Sequence, residues 1–296
     1  MAYICGVALL DIAGLISSKF QFYGPFSSLG MHHIWFGNLN ALAFYGLMAL
    51  LFMSWEKRKT HLLISASLII LFLFSLIMST SRTAWLGIMV SLCVVSFMLF
   101  RRKRQFWYVA TGLLMVVVIF YFTVPVVKQR VSQVMMDINA FLSGNEATSI
   151  GARFTMWIAS LKIFLNNPLF GAGTGDYNIE IENLVREGEI PPFISRYNQP
   201  HSIYMNELAT NGLLGFIALV YIFIKPLILS KKEKGSFNIL LWLVLVHYMV
   251  AGLTESLFNI HVLINSFAFL LGLVRRWENS NLKRPLMQNQ LDIKSS

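Results

Sequence analysis

Long apolar runs constrain this chain more than any other feature. They fall at about residues 2–17, 34–54, 62–79, 84–100, 106–124, 212–229, 237–255 and 262–274. Each is on the scale of the roughly 20 residues that carry a helix across a bilayer. A lone apolar segment in lipid can satisfy its own backbone only as a helix. The expected fold is therefore all-α: a polytopic membrane protein of about eight transmembrane helices. The balance of residues agrees, with 56% hydrophobic and 13% charged, against roughly a quarter charged in soluble domains.

Basic clusters close the runs. Glu56-Lys57-Arg58-Lys59, Arg101 to Arg104, Lys231, Lys232 and Lys234, and Arg275-Arg276 all fall on one side when the chain is threaded through eight spans. Read by the positive-inside rule, that side is the cytoplasm. Both termini then lie there, and one long loop lies outside. Four regions follow: an N-terminal bundle of five spans over 1–124, a large loop outside the cytoplasm over 125–211, three C-terminal spans over 212–275, and a polar cytoplasmic tail over 276–296. The net charge of +10 belongs to this topology rather than to nucleic-acid binding. Cys5 and Cys93 sit inside apolar runs and suggest neither a disulfide framework nor a zinc site. Asp11 interrupts the first run, which lacks the basic start of a signal peptide.

The long loop is patterned. Val127, Val131, Val134, Met135, Ile138 and Leu142 recur at helical spacing, as do Phe154, Trp157, Ile158, Leu161 and Phe164. Two amphipathic helices are expected, lying on the membrane or capping the bundle. Asn167-Pro168 ends the second, Gly171 to Gly175 reads as a flexible turn, and Pro191, Pro192 and Pro200 punctuate the return to the membrane.

Three residues stand where their type needs a reason. Arg82 is at the outer end of a span, where topology asks for no cation. It is either snorkelling to the interface or gripping an anion with its forked guanidinium. Arg153 is near the start of the second amphipathic helix, a poor place for a cation unless an anion shares the free N–H groups. An ordinary surface arginine is the alternative. His201 follows Pro200, and proline favours a helix's first turn. A neutral histidine there suits a general base, or merely a local hydrogen bond. Tyr204 and Glu207 lie one to two turns further on as supporting candidates. His33, beside His32, is on the same outer side. His247, mid-span, reads as a polar contact within the bundle. No DxD, HExxH or cysteine cluster is present, so neither a metal nor a cofactor is expected. The Gly-rich run lacks the Lys-Ser/Thr ending of a phosphate-binding loop.

Four stretches in order carry a family resemblance: Ser79-Thr80-Ser81-Arg82-Thr83-Ala84-Trp85; Thr148 to Trp157, TSIGARFTMW; Asn167 to Gly173 before Asp176-Tyr177; and His201 through Glu207 to Gly215. Together they resemble the O-antigen ligase and polymerase superfamily. The resemblance implies a GT-C-like, metal-independent, inverting glycosyltransferase of the bacterial inner membrane, with its site facing the periplasm. Its donor would be a glycan on undecaprenyl diphosphate. The acceptor would be a sugar hydroxyl of lipid A-core in a ligase of lipopolysaccharide biosynthesis, or another lipid-linked repeat unit in a polymerase. A protein hydroxyl is a third acceptor class. The TSIGAR segment favours the ligase. Carried over, the catalytic residue is His201, and Arg82 and Arg153 bind the donor diphosphate. Eight spans are fewer than this family usually carries, and the shortfall is expected at the N-terminus. A polysaccharide transporter or flippase is the rival class. Against it, no paired Gly/Pro-broken spans occur in corresponding halves.

Overall fold

The structure, a computed structural model, describes residues 31–54, 59–100, 104–230 and 236–273. The expected first span at 2–17 and the tail at 277–296 lie outside them. The chain forms α1 (His33–Ser54), α2 (Lys59–Met78), α3 (Arg82–Phe100), α4 (Arg104–Thr123), α5 (Pro125–Leu142), α6 (Ser149–Asn166), α7 (Tyr177–Arg186), α8 (Ile203–Ser230) and α9 (Ser236–Ala251). A last apolar helix, α10, covers His261–Leu273. Short 3₁₀ turns at Pro192–Arg196 and Leu257–Asn259 complete it. Among the described residues there is no strand.

Among the described residues, four helices are long and apolar enough to cross a membrane: His33–Leu51, Arg82–Phe100, Arg104–Thr123 and Ile203–Ile228. Ser67–Met78, Asn238–Ala251 and His261–Leu273 are shorter apolar helices. The expected count of about eight is thus met only in part among the described residues. Two expected boundaries also move. The run at 237–255 stops being helical after Ala251, and the run at 212–229 is entered from Ile203. One contact explains both. The Ile203 amide donates to the Gly252 carbonyl (2.9 Å) and the Ser202 amide to Ser256 Oγ (3.1 Å). The turn after α9 therefore receives the start of α8.

α9 is the centre of the bundle and packs against α1, α3 and α8. His247 lies fully buried in it. Its Nε2 is 2.9 Å from Asn38 Oδ1 and its Nδ1 is 3.0 Å from Tyr45 Oη. The Asn38 amide nitrogen is already donating to the Ile34 carbonyl (2.7 Å), so Oδ1 faces the ring and accepts from Nε2–H. Nδ1 then accepts from the tyrosine hydroxyl. Every polar atom of this node is answered, as apolar surroundings demand. Gly87 lets α3 approach it, since a Cβ there would stand 2.6 Å from the imidazole. His247 is therefore the bundle contact expected from the sequence. α4, by contrast, buries none of its residues; it is apolar all round, as suits a helix bathed in lipid.

The segment between α4 and α8 has a core of its own. Met156, Ala159 and Ile163 of α6 pack with Tyr177, Ile181 and Leu184 of α7, with Ile190 and Ile194, and with Ala209 of α8. α5 starts on Pro125, a residue that fits the first helical position. α6 is capped by Thr148, whose hydroxyl accepts from the Gly151 amide (3.1 Å). Both correspond to the expected amphipathic helices. α7 was not anticipated, although Tyr177, Ile181 and Leu184 are spaced for one buried face.

The glycine-rich run is not the flexible turn expected. α8 opens at Gly212 (φ 63°, ψ −156°), and the run fills the opening. Ala172 and Gly173 donate to the carbonyls of Ala209 and Thr210 (both 2.9 Å), while Leu213 donates to Pro168 (2.9 Å) and Leu214 to Leu169 (3.3 Å). The backbone groups freed by the break are thus paired, as burial requires. Only glycine fits at the crossing: a Cβ on Gly171 would lie 2.4 Å from the Thr210 carbonyl carbon, and one on Gly212 would lie 2.5 Å from that of Leu169.

Gly212→Ala combines a glycine-only backbone conformation with overpacking, each costing about 1–3 kcal/mol. It should lower the unfolding temperature of the detergent-solubilised protein by several degrees. Gly112→Ala, in open space on α4, should be neutral or stabilising by about 0.5–1 kcal/mol. Equal melting temperatures for the two variants would show that the break does not depend on this crossing.

Candidate active site

At one end of the bundle the turns and helix starts surround a cavity of about 550 Å³. It collects Arg82, Arg153 and His201, the three residues singled out in the sequence, together with His32, His33 and Arg130.

Arg82 opens α3 behind a tight turn. Ser79 Oγ closes the turn on the Leu76 carbonyl (2.6 Å), and Ser81 Oγ accepts from the Ala84 amide (3.3 Å). The Arg82 guanidinium then reaches α6, where Nη2 donates to Ser149 Oγ (3.1 Å). Arg153 Nη1 turns back one helical turn to the same hydroxyl (3.3 Å). One serine oxygen thus stands between two guanidiniums. Their other donors are less well served. Arg82 Nη1, Arg153 Nε and His33 Nδ1 are buried without a hydrogen-bond partner, and Asp137 stays 4.0 Å from Arg82. Burial pushes Arg153 below the ordinary arginine range; Glu255 opposes this and Arg82 adds to it. Guanidinium does not lose its proton in proteins, so this direction registers a buried positive charge that its neighbours do not fully answer. Guanidinium donors of this kind are the groups that bind phosphate and carboxylate oxygens in pairs.

His201 also lines the cavity. It is not in the first turn of α8, as expected, but two residues ahead of it, in the left-handed region (φ 49°). The amides that follow it are committed to the Gly252–Ser256 turn, which fixes this kink. Trp157 of α6 holds the preceding residue, donating from Nε1 to the Pro200 carbonyl (3.1 Å). The kink aims His201 Nδ1 at Glu255, 3.2 and 3.1 Å from its two oxygens. The carboxylate is almost fully enclosed, at 2% side-chain exposure against 24% for the histidine. In the tautomer that donates Nδ1–H to the carboxylate, the ring's lone pair is on Nε2. Close by, burial also pushes His32 below the ordinary imidazole range, with Glu255 acting against it and His201 with it.

Among the supporting candidates, His33 lines the cavity while Tyr204 and Glu207 do not. Tyr204 donates to the Met249 carbonyl (2.7 Å), and Glu207 accepts from Asn211 (2.8 Å). Two residues were missed. Glu255 was counted as the end of a span, although an ionisable residue in an apolar run is itself a signal of function. Arg130 sits on a helix read only for its apolar stripe; nothing in its local pattern set it apart.

The arrangement pairs a proton acceptor, oriented by a carboxylate, with an anion pocket in one enclosure. That combination suits a displacement in which a hydroxyl loses a proton and an anion departs.

Comparisons with known proteins place the chain in a family. Over 215 residues the chain is 26% identical to an uncharacterized protein of Haemophilus influenzae, covering 70% of this chain and 53% of that one. Over 232 residues it is 20% identical to an O-antigen ligase of Escherichia coli K12, covering 76% of this chain and 54% of that one. The chain spans about half the length of the curated relatives it matches. The O-antigen ligase family model matches residues 66–220, over half of the 296 residues. The matched stretch contains Arg82, Arg130, Arg153 and His201; Glu255 lies beyond it. On that match the chain belongs to the O-antigen ligase family.

Proposed function

We propose that this protein moves a glycan from undecaprenyl diphosphate to a sugar hydroxyl of lipid A-core, on the periplasmic face of the bacterial inner membrane. The observation that carries the reading is the shared cavity: His201, oriented by Glu255, lines the same space as Arg82 and Arg153, two arginines with buried donors that lack a partner. The similarity to the E. coli O-antigen ligase supports the choice of acceptor.

The chemistry is a single displacement. The acceptor oxygen bonds to the anomeric carbon and gives its proton to His201 Nε2. The bond from that carbon to the diphosphate oxygen breaks, and its electron pair leaves with the diphosphate, so the configuration inverts. Glu255 balances the positive charge the ring takes on, as the carboxylate of a catalytic triad does. Arg82 and Arg153 stabilise the negative charge growing on the leaving group. A diphosphate is a good leaving group, so no general acid is needed and the two-carboxylate arrangement of glycosidases is not called for. Metal independence belongs to this reading.

Purified protein given undecaprenyl-diphosphate-linked glycan and lipid A-core should form product in the presence of EDTA, and His201→Ala should lower the rate by ~10²-fold or more. Longer chains on the lipid carrier, without product on lipid A-core, would make the enzyme a polymerase instead. Loss of activity on chelation would sink the metal-free mechanism.

Glu255→Gln keeps the shape but removes the charge facing His201. The expected result is a kcat reduced by roughly 10- to 10³-fold with KM for the donor little changed, because the carboxylate acts in the transition state. A change confined to KM would assign Glu255 to binding.

A further inference from the structure

The two arginines discussed so far share one serine and face one side of the cavity. A third guanidinium, Arg130 of α5, lines the same space and has no role in the reading above. Its placement is built. Nη2 donates to Thr80 Oγ1 (2.9 Å) and Nη1 to Gln133 (3.0 Å). Thr80 is itself 3% exposed and adopts the left-handed conformation (φ 57°). A β-branched residue there is a backbone outlier that persists only where its surroundings enforce it. The turn before α3 therefore holds a strained threonine whose hydroxyl accepts from Arg130. Two bonds leave the rest of the guanidinium's five N–H donors available to the cavity.

All three guanidiniums line one cavity, and Arg82 repels both Arg130 and Arg153. Burial and this repulsion both push Arg130 below the ordinary arginine range. Among the described residues, the carboxylate within ion-pair distance of these arginines is Asp137, 4.0 Å from Arg82. A compact monoanion on Ser149 would answer Arg82 and Arg153 and leave Arg130 unmatched. An anion with two linked phosphoryl groups would answer all three.

We infer that Arg130, held by Thr80, is a third anion-binding residue that engages the second phosphoryl group of the donor and makes the cavity selective for a diphosphate over a monophosphate. This rests on the polyprenyl-diphosphate reading of the site and adds its specificity. After transfer, the same contact would retain undecaprenyl diphosphate, the leaving group.

The test is equilibrium binding by native mass spectrometry, with the full chain and two lipids that carry no glycan: undecaprenyl diphosphate and undecaprenyl monophosphate. The parent protein should prefer the diphosphate by ~10-fold or more, the scale of one charged hydrogen-bonding contact. Arg130→Gln should abolish that preference while leaving monophosphate affinity within about twofold of the parent. Arg130→Lys keeps the charge but not the fork; it should lose part of the preference, and it serves the same purpose if the glutamine variant does not fold. Arg82→Gln should weaken both lipids. Equal weakening of both lipids in the Arg130 variants, or an unchanged preference, would overturn the assignment. Binding of neither lipid by the parent would instead overturn the donor reading, and this inference with it.

Discussion

A buried carboxylate has to be answered, and in this protein the answer organises the end of the bundle. Glu255 is enclosed among apolar helices, where an unpaired charge costs several kcal/mol. Its partner, His201, lies 54 residues earlier in the chain. To meet it, α9 stops at Ala251, the turn after it accepts the Ile203 amide, and the backbone at His201 takes a left-handed conformation. Trp157 then ties α6 to the same point through Pro200. The pairing thus joins three segments far apart in sequence and leaves one imidazole nitrogen facing the cavity.

The part of the cavity that carries Arg153 must be equally firm, because arginines on a mobile loop would not hold a fixed geometry. The segment between α4 and α8 meets this need in two ways. Its own apolar core, from Met156 to Ile194, closes α6 on α7. The Pro168–Gly173 backbone then engages α8 at its break, so carbonyls and amides on both chains are satisfied across Gly212. Arg153 is carried by the same α6 that this core holds, one face inward and the guanidinium outward. Helix dipole and burial both disfavour a cation there.

What the sequence shows of this depends on whether a signal is local. The helices and their apolar faces are legible, because periodicity needs only neighbours. So are Arg82, Arg153 and His201, each a polar residue in a place that its surroundings do not explain. Glu255 was within reach by the same logic, but it was absorbed into an apolar run taken to continue through it. The paired backbone at Gly171–Gly173 was not legible: glycines read alike whether they bend freely or are pinned, and the partners here are Ala209 and Thr210, far along the chain. Arg130 is similar. Its significance lies in Thr80, half a hundred positions away, and no spacing rule connects a cation on one helix to a turn between two others. The number of spans is the least local quantity of all, since it depends on where each apolar run stops being helical.

Strain and function coincide in this structure. Among the described residues, the non-glycine positions with positive φ are Thr80 and His201, and both line the cavity. Each conformation costs about 1–3 kcal/mol, and a protein this apolar has many unstrained ways to build a turn. The cost persists where the turn also places a group: Thr80 aims its hydroxyl at Arg130, and His201 aims Nδ1 at Glu255. One strained residue fixes a guanidinium and the other an imidazole, and both line a single enclosure. Relaxing either turn would leave the bundle's core intact and the distance between base and anion pocket undefined. Such a distance matters most in a displacement, where nucleophile and leaving group must be aligned at the same carbon.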